Sequence, residues 1–218
     1  MRSKFDRALE KLHTQLVEMG EMCEDLINNA SKALLENDQE LAHMVINNEQ
    51  EIDNEEREIE TLCLKLLLTQ QPVARDLRQI SAALKMITDM ERIGDQAEDI
   101  AEIVTQMDVD DTLKQLPLYQ MSEATKWMVT KSIDAYVKKD SALAENVIKY
   151  DDVVDDLFSQ IKGALITYIT DTSNMDNKDH GQYALDLLMV AKYYERIGDH
   201  AVNIAEWVLF SITGEHVH

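Results

Sequence analysis

The amino-acid sequence predicts an all-α protein built from two tandem, pseudo-symmetric three-helix bundles. Its 218 residues include only six Gly and two Pro, and helix-favouring residues fill the long intervals between them. Apolar residues recur at spacings of three and four, which is typical of a helix with one buried face. The second half of the chain also repeats the pattern of the first, which places one bundle at 1–107 and the other at 112–214.

Three long helices are expected in the first bundle. The first ends near Asn37, and Asp38 is the predicted N-cap of the second, which runs to about Gln71. Pro72 fits the first turn of the third helix, which extends towards Met107 and is followed by a linker at 108–112. The apolar stripes that define these helices include Leu9, Leu12 and Leu16 in the first, Leu41 and Val45 in the second, and Leu77, Ile80, Leu84 and Ile87 in the third.

The second bundle is predicted by overlaying the chain on itself. An offset of 102 residues places Asp38 on Asp140 and aligns helices four and five with helices one and two. An offset of 104 places the segment Glu-Arg-Ile-Gly-Asp at 91–95 on an identical segment at 195–199. The polar connection at 170–178 accounts for the change of offset, because loops absorb insertions more easily than helices do. Two related bundles are therefore expected.

The charge of the chain argues against some classes of partner. With 42 acidic and 21 basic residues, the formal charge of −21 repels phosphodiester backbones and anionic lipid headgroups. Small basic groups at Arg75 with Arg78 and at Lys138 with Lys139 do not form the continuous basic stripe that a DNA-binding surface requires. We interpret these groups as solvated helix faces, and direct binding to nucleic acid is not expected.

Several features indicate a cytoplasmic protein. The N-terminal residues alternate charged and apolar types, unlike a signal peptide, and no window approaches the ~20 apolar residues of a membrane helix. Cys23 and Cys63 are far apart in the sequence and lack the spacing of a zinc or redox motif, so we expect buried, reduced thiols.

Acidic pairs spaced four residues apart recur at matched positions in the two halves. Residues at this spacing share one helix face with Cβ atoms ~5–6 Å apart, so each pair repels itself by roughly 0.2–0.5 kcal/mol unless a cation lies between them. Counted outward from predicted turns near Gln71 and Asn174, the pairs on neighbouring antiparallel helices lie level to within ~3 Å. The pairs are Glu49 with Asp53, Glu91 with Asp95, Asp151 with Asp155, and Glu195 with Asp199.

These eight carboxylates are the candidate metal ligands. Oxygen-only ligands favour hard or borderline cations such as Mg²⁺, Mn²⁺ or iron over a thiolate-type zinc site, although the sequence leaves the identity of the ion, Zn included, open. Gly94 and Gly198 recur next to Asp95 and Asp199, which suggests close helix packing or room for an ion. The alternative is a hydrated acidic stripe that closes weak surface salt bridges.

The doubled Glu-Arg-Ile-Gly-Asp segment and the helix start Gln-Pro-Val-Ala-Arg-Asp-Leu-Arg at 71–78 resemble the PhoU family over essentially the whole chain. The family's acidic motif corresponds to the four pairs named above. The resemblance implies metal clusters on the bundle surface, an accessory role beside the phosphate-specific ABC transporter, and repression of the phosphate-starvation response through a phosphate-sensing histidine kinase. Two departures are that Asp99, which extends one motif, corresponds to Asn203, and that the helix start near His180 lacks the Pro-Val-Ala-Arg signature.

Other functions receive less support from the residues. A ferritin-like di-metal oxidase would use Glu-x-x-His motifs, and Glu10 with His13 and Glu40 with His43 have this spacing, but the second repeat lacks the ligands. No catalytic triad or Gly-rich phosphate loop is present, so we expect no enzyme activity. A metal-independent helical scaffold remains a third interpretation. Broad helix faces suit protein partners, including a second copy of this chain as a homodimer.

Overall fold

Six helices make up the described part of the chain, which comprises residues 2–69, 73–107, 116–170 and 178–215 of a computed structural model. The helices are α1 (Arg2–Glu36), α2 (Gln39–Thr69), α3 (Ala74–Gln106), α4 (Leu118–Lys138), α5 (Ser141–Thr170) and α6 (Lys178–Thr213). No strand occurs within the described ranges. The predicted all-α fold is confirmed.

The turn between α1 and α2 is built in the same way as the turn between α4 and α5. Asn37 and Lys139 each adopt the left-handed conformation, with φ of 53°, which ends the preceding helix. Asp38 and Asp140 follow, and their carboxylates accept hydrogen bonds from the backbone N–H groups three residues further on, at 2.9 and 3.0 Å. The N-cap predicted at Asp38 and its repeat at Asp140 are therefore confirmed.

The two bundles share one core. Helices α1, α2 and α3 pack against one another, as do α4, α5 and α6. In addition α3 packs along α6, and α1 packs along α4, whereas α2 and α5 pack mainly within their own bundle. Buried apolar side chains from all six helices form one continuous cluster, in which Tyr194 is the largest of the fully buried side chains. The outer helices α2 and α5 are therefore held by the central four.

A close approach and a polar contact define the interface between the bundles. A Cβ atom at Gly20 of α1 would lie 2.1 Å from Cδ1 of Ile133 in α4, so the missing side chain lets these helices pack closely. Between α3 and α6, the Asp89 carboxylate lies 2.9 Å from His200 Nδ1 and accepts a hydrogen bond from Asn203 at 3.0 Å. Both contacts join residues more than a hundred positions apart.

One apolar assignment from the sequence is wrong. Leu77, which was placed in the buried stripe of the third helix, is 46% exposed. It lies in the first turn of α3, at one end of the bundle, and the buried residues of this helix begin at Gln79 and Ile80.

Some predicted boundaries lie outside the described residues. These are the helix start at Pro72, the linker at 108–112 and the turn near Asn174, so the bundle limits of 1–107 and 112–214 stay predictions. Cys23 and Cys63 are buried and free, as expected. Among the described helices, none is both long and apolar enough to span a membrane.

Candidate metal centres

The matched acidic pairs lie on helices that pack closely at the same level. A Cβ atom added to Gly94 of α3 would lie 3.1 Å from Cδ1 of Ile52 in α2. In the second bundle, a Cβ atom at Gly198 of α6 would lie 3.4 Å from Cγ1 of Val154 in α5. Ile52 and Gly94 directly precede Asp53 and Asp95 in the sequence, and Val154 and Gly198 directly precede Asp155 and Asp199. The helix pairs therefore have the register that the sequence predicts, and close packing against Ile52 explains Gly94.

Glu49, Asp53, Glu91 and Asp95 form the first acidic cluster, between α2 and α3, and all four are half-buried. Burial raises the pKa of Glu49 to about 7, and the charges of Asp53, Glu98, Asp95 and Glu91 add to this rise. Burial and the charge of Asp95 also raise the pKa of Glu91. The other three acids thus act electrostatically on Glu49, as acids on facing sides of two packed helices do.

Asp151, Asp155, Glu195 and Asp199 form the second acidic cluster, between α5 and α6. Burial raises the pKa of Asp151 to about 6, and the charges of Asp155, Asp199 and Glu195 add to this rise. Oδ1 of Asp151 lies over the α6 backbone, 3.3 Å from the position that a Cβ atom of Gly198 would occupy. Burial also raises the pKa of Asp199, so each bundle has acids at equivalent places of which at least two resist ionisation.

Basic side chains lie at the edges of both clusters. Arg57 pairs with Asp53 at 2.9 Å, and Arg92 pairs with the two acids of α3 at 3.0 and 3.4 Å. Lys192 pairs with Glu195 and lies 5.6 Å from the centre of the Phe158 ring. Solvent-accessible ion pairs of this kind each contribute about 0–1 kcal/mol, so a multivalent cation could displace them.

Within the described residues, no three His, Cys, Asp or Glu side chains are arranged as ligands of one metal ion. The ion pairs give a physical reason, because they turn several of the carboxylates towards guanidinium and ammonium groups. The donors nevertheless suit a hard or borderline cation, since every acid of the two clusters offers oxygen. Metal binding thus stays a prediction, and it requires these side chains to exchange their basic partners for the ion.

Comparison with known proteins places this architecture in a family. A family model described as the PhoU domain matches the chain twice, at residues 16–104 and 118–208. The chain belongs to the PhoU family. A phosphate-specific transport system accessory protein PhoU homolog from Clostridium acetobutylicum is 36% identical over 220 residues, which cover 99% of this chain and 97% of the relative. A homolog of the same description from Borreliella burgdorferi is 34% identical over 225 residues, which cover 100% and 99% of the two chains.

Solved PhoU structures have the same fold. The crystal structure of PhoU from Pseudomonas aeruginosa superposes with a TM-score of 0.88 at 32% identity, covering 97% of this chain and all of that one. The phosphate transport system regulatory protein PhoU from Streptococcus pneumoniae superposes with a TM-score of 0.85 at 25% identity, covering 98% and 99%. Together with the doubled PhoU domain, these matches confirm the tandem repeat.

The PhoU motif directed attention to Asp99 as an additional acid, whereas the structure brings Glu98 to the first cluster. The charge of Glu98 raises the pKa of Glu49 in α2. Burial raises the pKa of Asp99, and Arg196 of α6 lowers it, so Asp99 also faces the other bundle. Glu98 lies three residues after Asp95, a spacing that shares a helix face as well as a spacing of four does. That spacing is the signal that sequence reasoning missed.

The histidines of the oxidase alternative do not join the acidic clusters of this PhoU fold. The His13 ring packs edge-on against Tyr136, with ring centres 5.3 Å apart, and His43 is exposed. Glu10 and Glu40, their partners in the Glu-x-x-His strings, are also exposed. The described residues therefore provide no ligand set of the ferritin type.

Replacing Glu49 by Gln is expected to stabilise the metal-free protein at about pH 8 and to flatten its pH dependence. The pKa of this group rises from 4.5 to about 7 on folding. The folded state therefore binds the proton more tightly, and stability is lost as pH rises between these two values. The full shift corresponds to about 3 kcal/mol, which solvent screening of this half-buried group reduces to about 1 kcal/mol.

Urea unfolding in chelator at about pH 5 and about pH 8 measures this effect. Glu51→Gln is the matched control, because it removes the same charge from an exposed position two residues away on α2. Equal changes in the two variants at both pH values would show that the burial of Glu49 and its repulsion by neighbouring acids do not cost stability.

Proposed function

We propose that this protein is an accessory regulator of phosphate-specific transport. The observation that carries the proposal is the full-length match to relatives that are named phosphate-specific transport system accessory proteins, over 99% of this chain. Both bundles take part in the match, since the PhoU domain occurs in each. Regulation through binding, rather than catalysis, suits a chain in which sequence reasoning finds no nucleophile or phosphate loop.

The proposed partners are the phosphate-specific ABC transporter and a phosphate-sensing histidine kinase. The protein acts on them in the cytoplasm and represses the phosphate-starvation response when phosphate is plentiful. Large apolar side chains exposed on the outer helices, such as Met44 and Leu64 of α2 and Val153 and Ile166 of α5, offer contact area for such partners or for a second copy of this chain.

Metal ions are proposed to bind at the two acidic clusters. When bound, an ion supplies positive charge that relieves the repulsion among the carboxylates. Glu49 and Asp151 have pKa values raised to about 7 and about 6, so they are the acids whose ionised forms a bound cation would stabilise most. In each bundle the ligands come from two helices, so binding ties α2 to α3 and α5 to α6. Iron, Mn, Mg and Zn all remain candidates.

A metal-independent helical scaffold is the second candidate. The observation that favours it is the set of ion pairs formed by Arg57, Arg92 and Lys192, which neutralise part of each cluster without any metal. Under this alternative the family role persists, and the acids act only as solvated ion-pair partners.

Deleting the gene in its host is expected to activate phosphate-starvation reporters in phosphate-rich medium, and the intact gene should restore repression. Reporter activity in rich phosphate is the measurement. Reporters that stay silent in the deletion strain would contradict the regulatory proposal.

Complementation with a variant that carries Glu91→Ala, Asp95→Ala, Glu195→Ala and Asp199→Ala separates the two candidates. Loss of repression by this variant, at normal abundance, supports metal-dependent regulation. Full repression by a folded variant that contains no metal supports the scaffold.

A further inference from the structure

A cavity of about 290 Å³ lies where the two bundles meet, at the end of the molecule that contains the start of α3 and the ends of α4 and α6. None of the residues that line the cavity belongs to either acidic cluster. Helices α1, α3, α4 and α6 all contribute to its walls, so the cavity exists only because the bundles pack together. Its polar lining includes His13, Arg75, Arg78, Tyr136, Lys139 and Ser211.

The cavity is cationic in a strongly acidic protein. Arg75, Arg78 and Lys139 line it, and no Asp or Glu does, although the chain has 42 acidic residues against 21 basic ones. Within the described residues, none of the three forms an ion pair. Burial and the charge of Lys139 lower the pKa of His13, and the smaller effect of Glu10, which does not line the cavity, opposes them.

The interpretation of these basic groups as solvated agrees with Arg75, Lys138 and Lys139, which are all exposed. The sequence did not indicate that Arg75, Arg78 and Lys139 line one cavity, whereas Lys138 pairs with Asp134 at 3.1 Å.

Three buried polar atoms of the cavity residues lack hydrogen-bond partners. They are the Tyr136 hydroxyl, His13 Nε2 and Arg78 Nε, and they make up half of the six such side-chain atoms found among the described residues. Tyr136 is only 5% exposed. A buried polar group without a partner costs about 1–3 kcal/mol, so three of them at one place point to a polar occupant of the cavity, which is water or a ligand.

We propose that this cavity binds a small phosphate-type oxyanion, either free or carried as a phosphomonoester. The guanidinium groups present rigid forks of N–H donors that match tetrahedral oxyanions, and the lysine and tyrosine add further donors. The volume of about 290 Å³ lies at the lower edge of the usual range for ligand pockets, which suits a small anion with some hydration.

The start of α3 contributes partial positive charge at this end of the molecule, and the C-terminal ends of α4 and α6 contribute partial negative charge, so the net positive charge of the cavity comes from its three basic side chains. Val73, the N-cap residue, provides no side-chain hydrogen bond to the first turn, whose N–H groups have no acceptor within the helix itself. Asp76 lies in the same turn but does not line the cavity. The inference depends neither on metal binding at the acidic clusters nor on the transport role.

Calorimetric titration of the metal-free, full-length protein at constant ionic strength tests the proposal, with inorganic phosphate and glycerol 3-phosphate as the two probes. Saturable binding of at least one probe is expected, with a Kd of about 1 mM or tighter. Arg78→Gln and Lys139→Gln should each weaken it by about tenfold, since each removes a charge-assisted hydrogen bond. Lys138→Gln, which removes the same charge one residue away, should leave it unchanged.

Tyr136→Phe provides a test that does not depend on charge or on the folding of the arginine variants. It should weaken binding by roughly fivefold without lowering the melting temperature in phosphate-free buffer, because only an unpartnered hydroxyl is lost. Binding of inorganic phosphate indicates a free anion, and binding of the ester alone indicates a carried phosphoryl group. Absence of binding by both probes, or wild-type affinity in both Arg78→Gln and Tyr136→Phe, overturns the proposal.

Discussion

Mn²⁺ is expected to raise the melting temperature of the metal-free protein by about 5–10 °C for each occupied cluster at a concentration of 100 times its Kd, where binding at one cluster contributes about 2.7 kcal/mol. The variant that carries Glu91→Ala, Asp95→Ala, Glu195→Ala and Asp199→Ala should show no such rise. The physical reason is that each cluster loses two of its four carboxylates, and with them the ligands from one of its two helices. Thermal unfolding followed by circular dichroism, with and without Mn²⁺, measures the difference.

A charge-matched control separates ligation from general electrostatics. Replacing Glu18, Glu21, Glu51 and Glu145 by Ala removes the same number of charges from exposed positions. This variant should keep the full response to Mn²⁺. If the cluster variant and the control respond equally, the eight acids do not form the metal sites.

Tyr194→Ala is expected to lower the free energy of unfolding by about 3–5 kcal/mol. Tyr194 is the largest of the fully buried side chains, and it lies in the core that both bundles share. Burial raises the pKa of its hydroxyl to about 12, while Ser31 of α1 and Ser122 of α4 lower it, so the ring reaches the contact between the bundles. Urea unfolding of the variant measures the loss.

Tyr193→Ala is the matched control, because Tyr193 is the same residue type at a neighbouring, half-buried position on α6. Tyr193→Ala should lower the free energy of unfolding by about 1 kcal/mol. Similar losses in the two variants would contradict a shared core centred on Tyr194. The wild type should also unfold in one transition, because no boundary divides the buried apolar cluster.

Local signals in the sequence were sufficient to predict the helices and the register between neighbouring helices of one bundle. Asp38 and Asp140 cap α2 and α5 as predicted, because an N-cap depends on the residues of a single turn. The level of the acidic pairs followed from the constant rise of an α-helix, and the Ile52–Gly94 and Val154–Gly198 contacts have that register. Prediction worked where one helix, or one turn and its two helices, determines the result.

Contacts between distant segments could not be predicted in the same way. Arg75 and Lys139 lie on different bundles, and no periodicity along either helix indicates that they line one cavity. The packing of α3 against α6, with Asp89 between His200 and Asn203, likewise depends on how complete bundles fit together. Apolar spacing identifies a buried face but does not identify the helix that covers it.

Side-chain orientation was also beyond the reach of the sequence. Spacing placed the carboxylates level, but it gave no indication that Arg57 and Arg92 would turn towards them. The spacing of four also drew attention to Asp99 and not to Glu98, which lies three residues after Asp95. Rotamers depend on the charges around each group, and these are known only once the helices are packed.

Crystals grown with Mn²⁺ and measured for anomalous scattering test most directly whether antiparallel helices of each bundle share a cation. Anomalous peaks are expected between α2 and α3, beside Glu49 and Asp95, and between α5 and α6, beside Asp151 and Asp199. Ordered clusters without a peak, with Arg92 and Lys192 still paired to their acids, would contradict the metal sites and leave the scaffold as the better description.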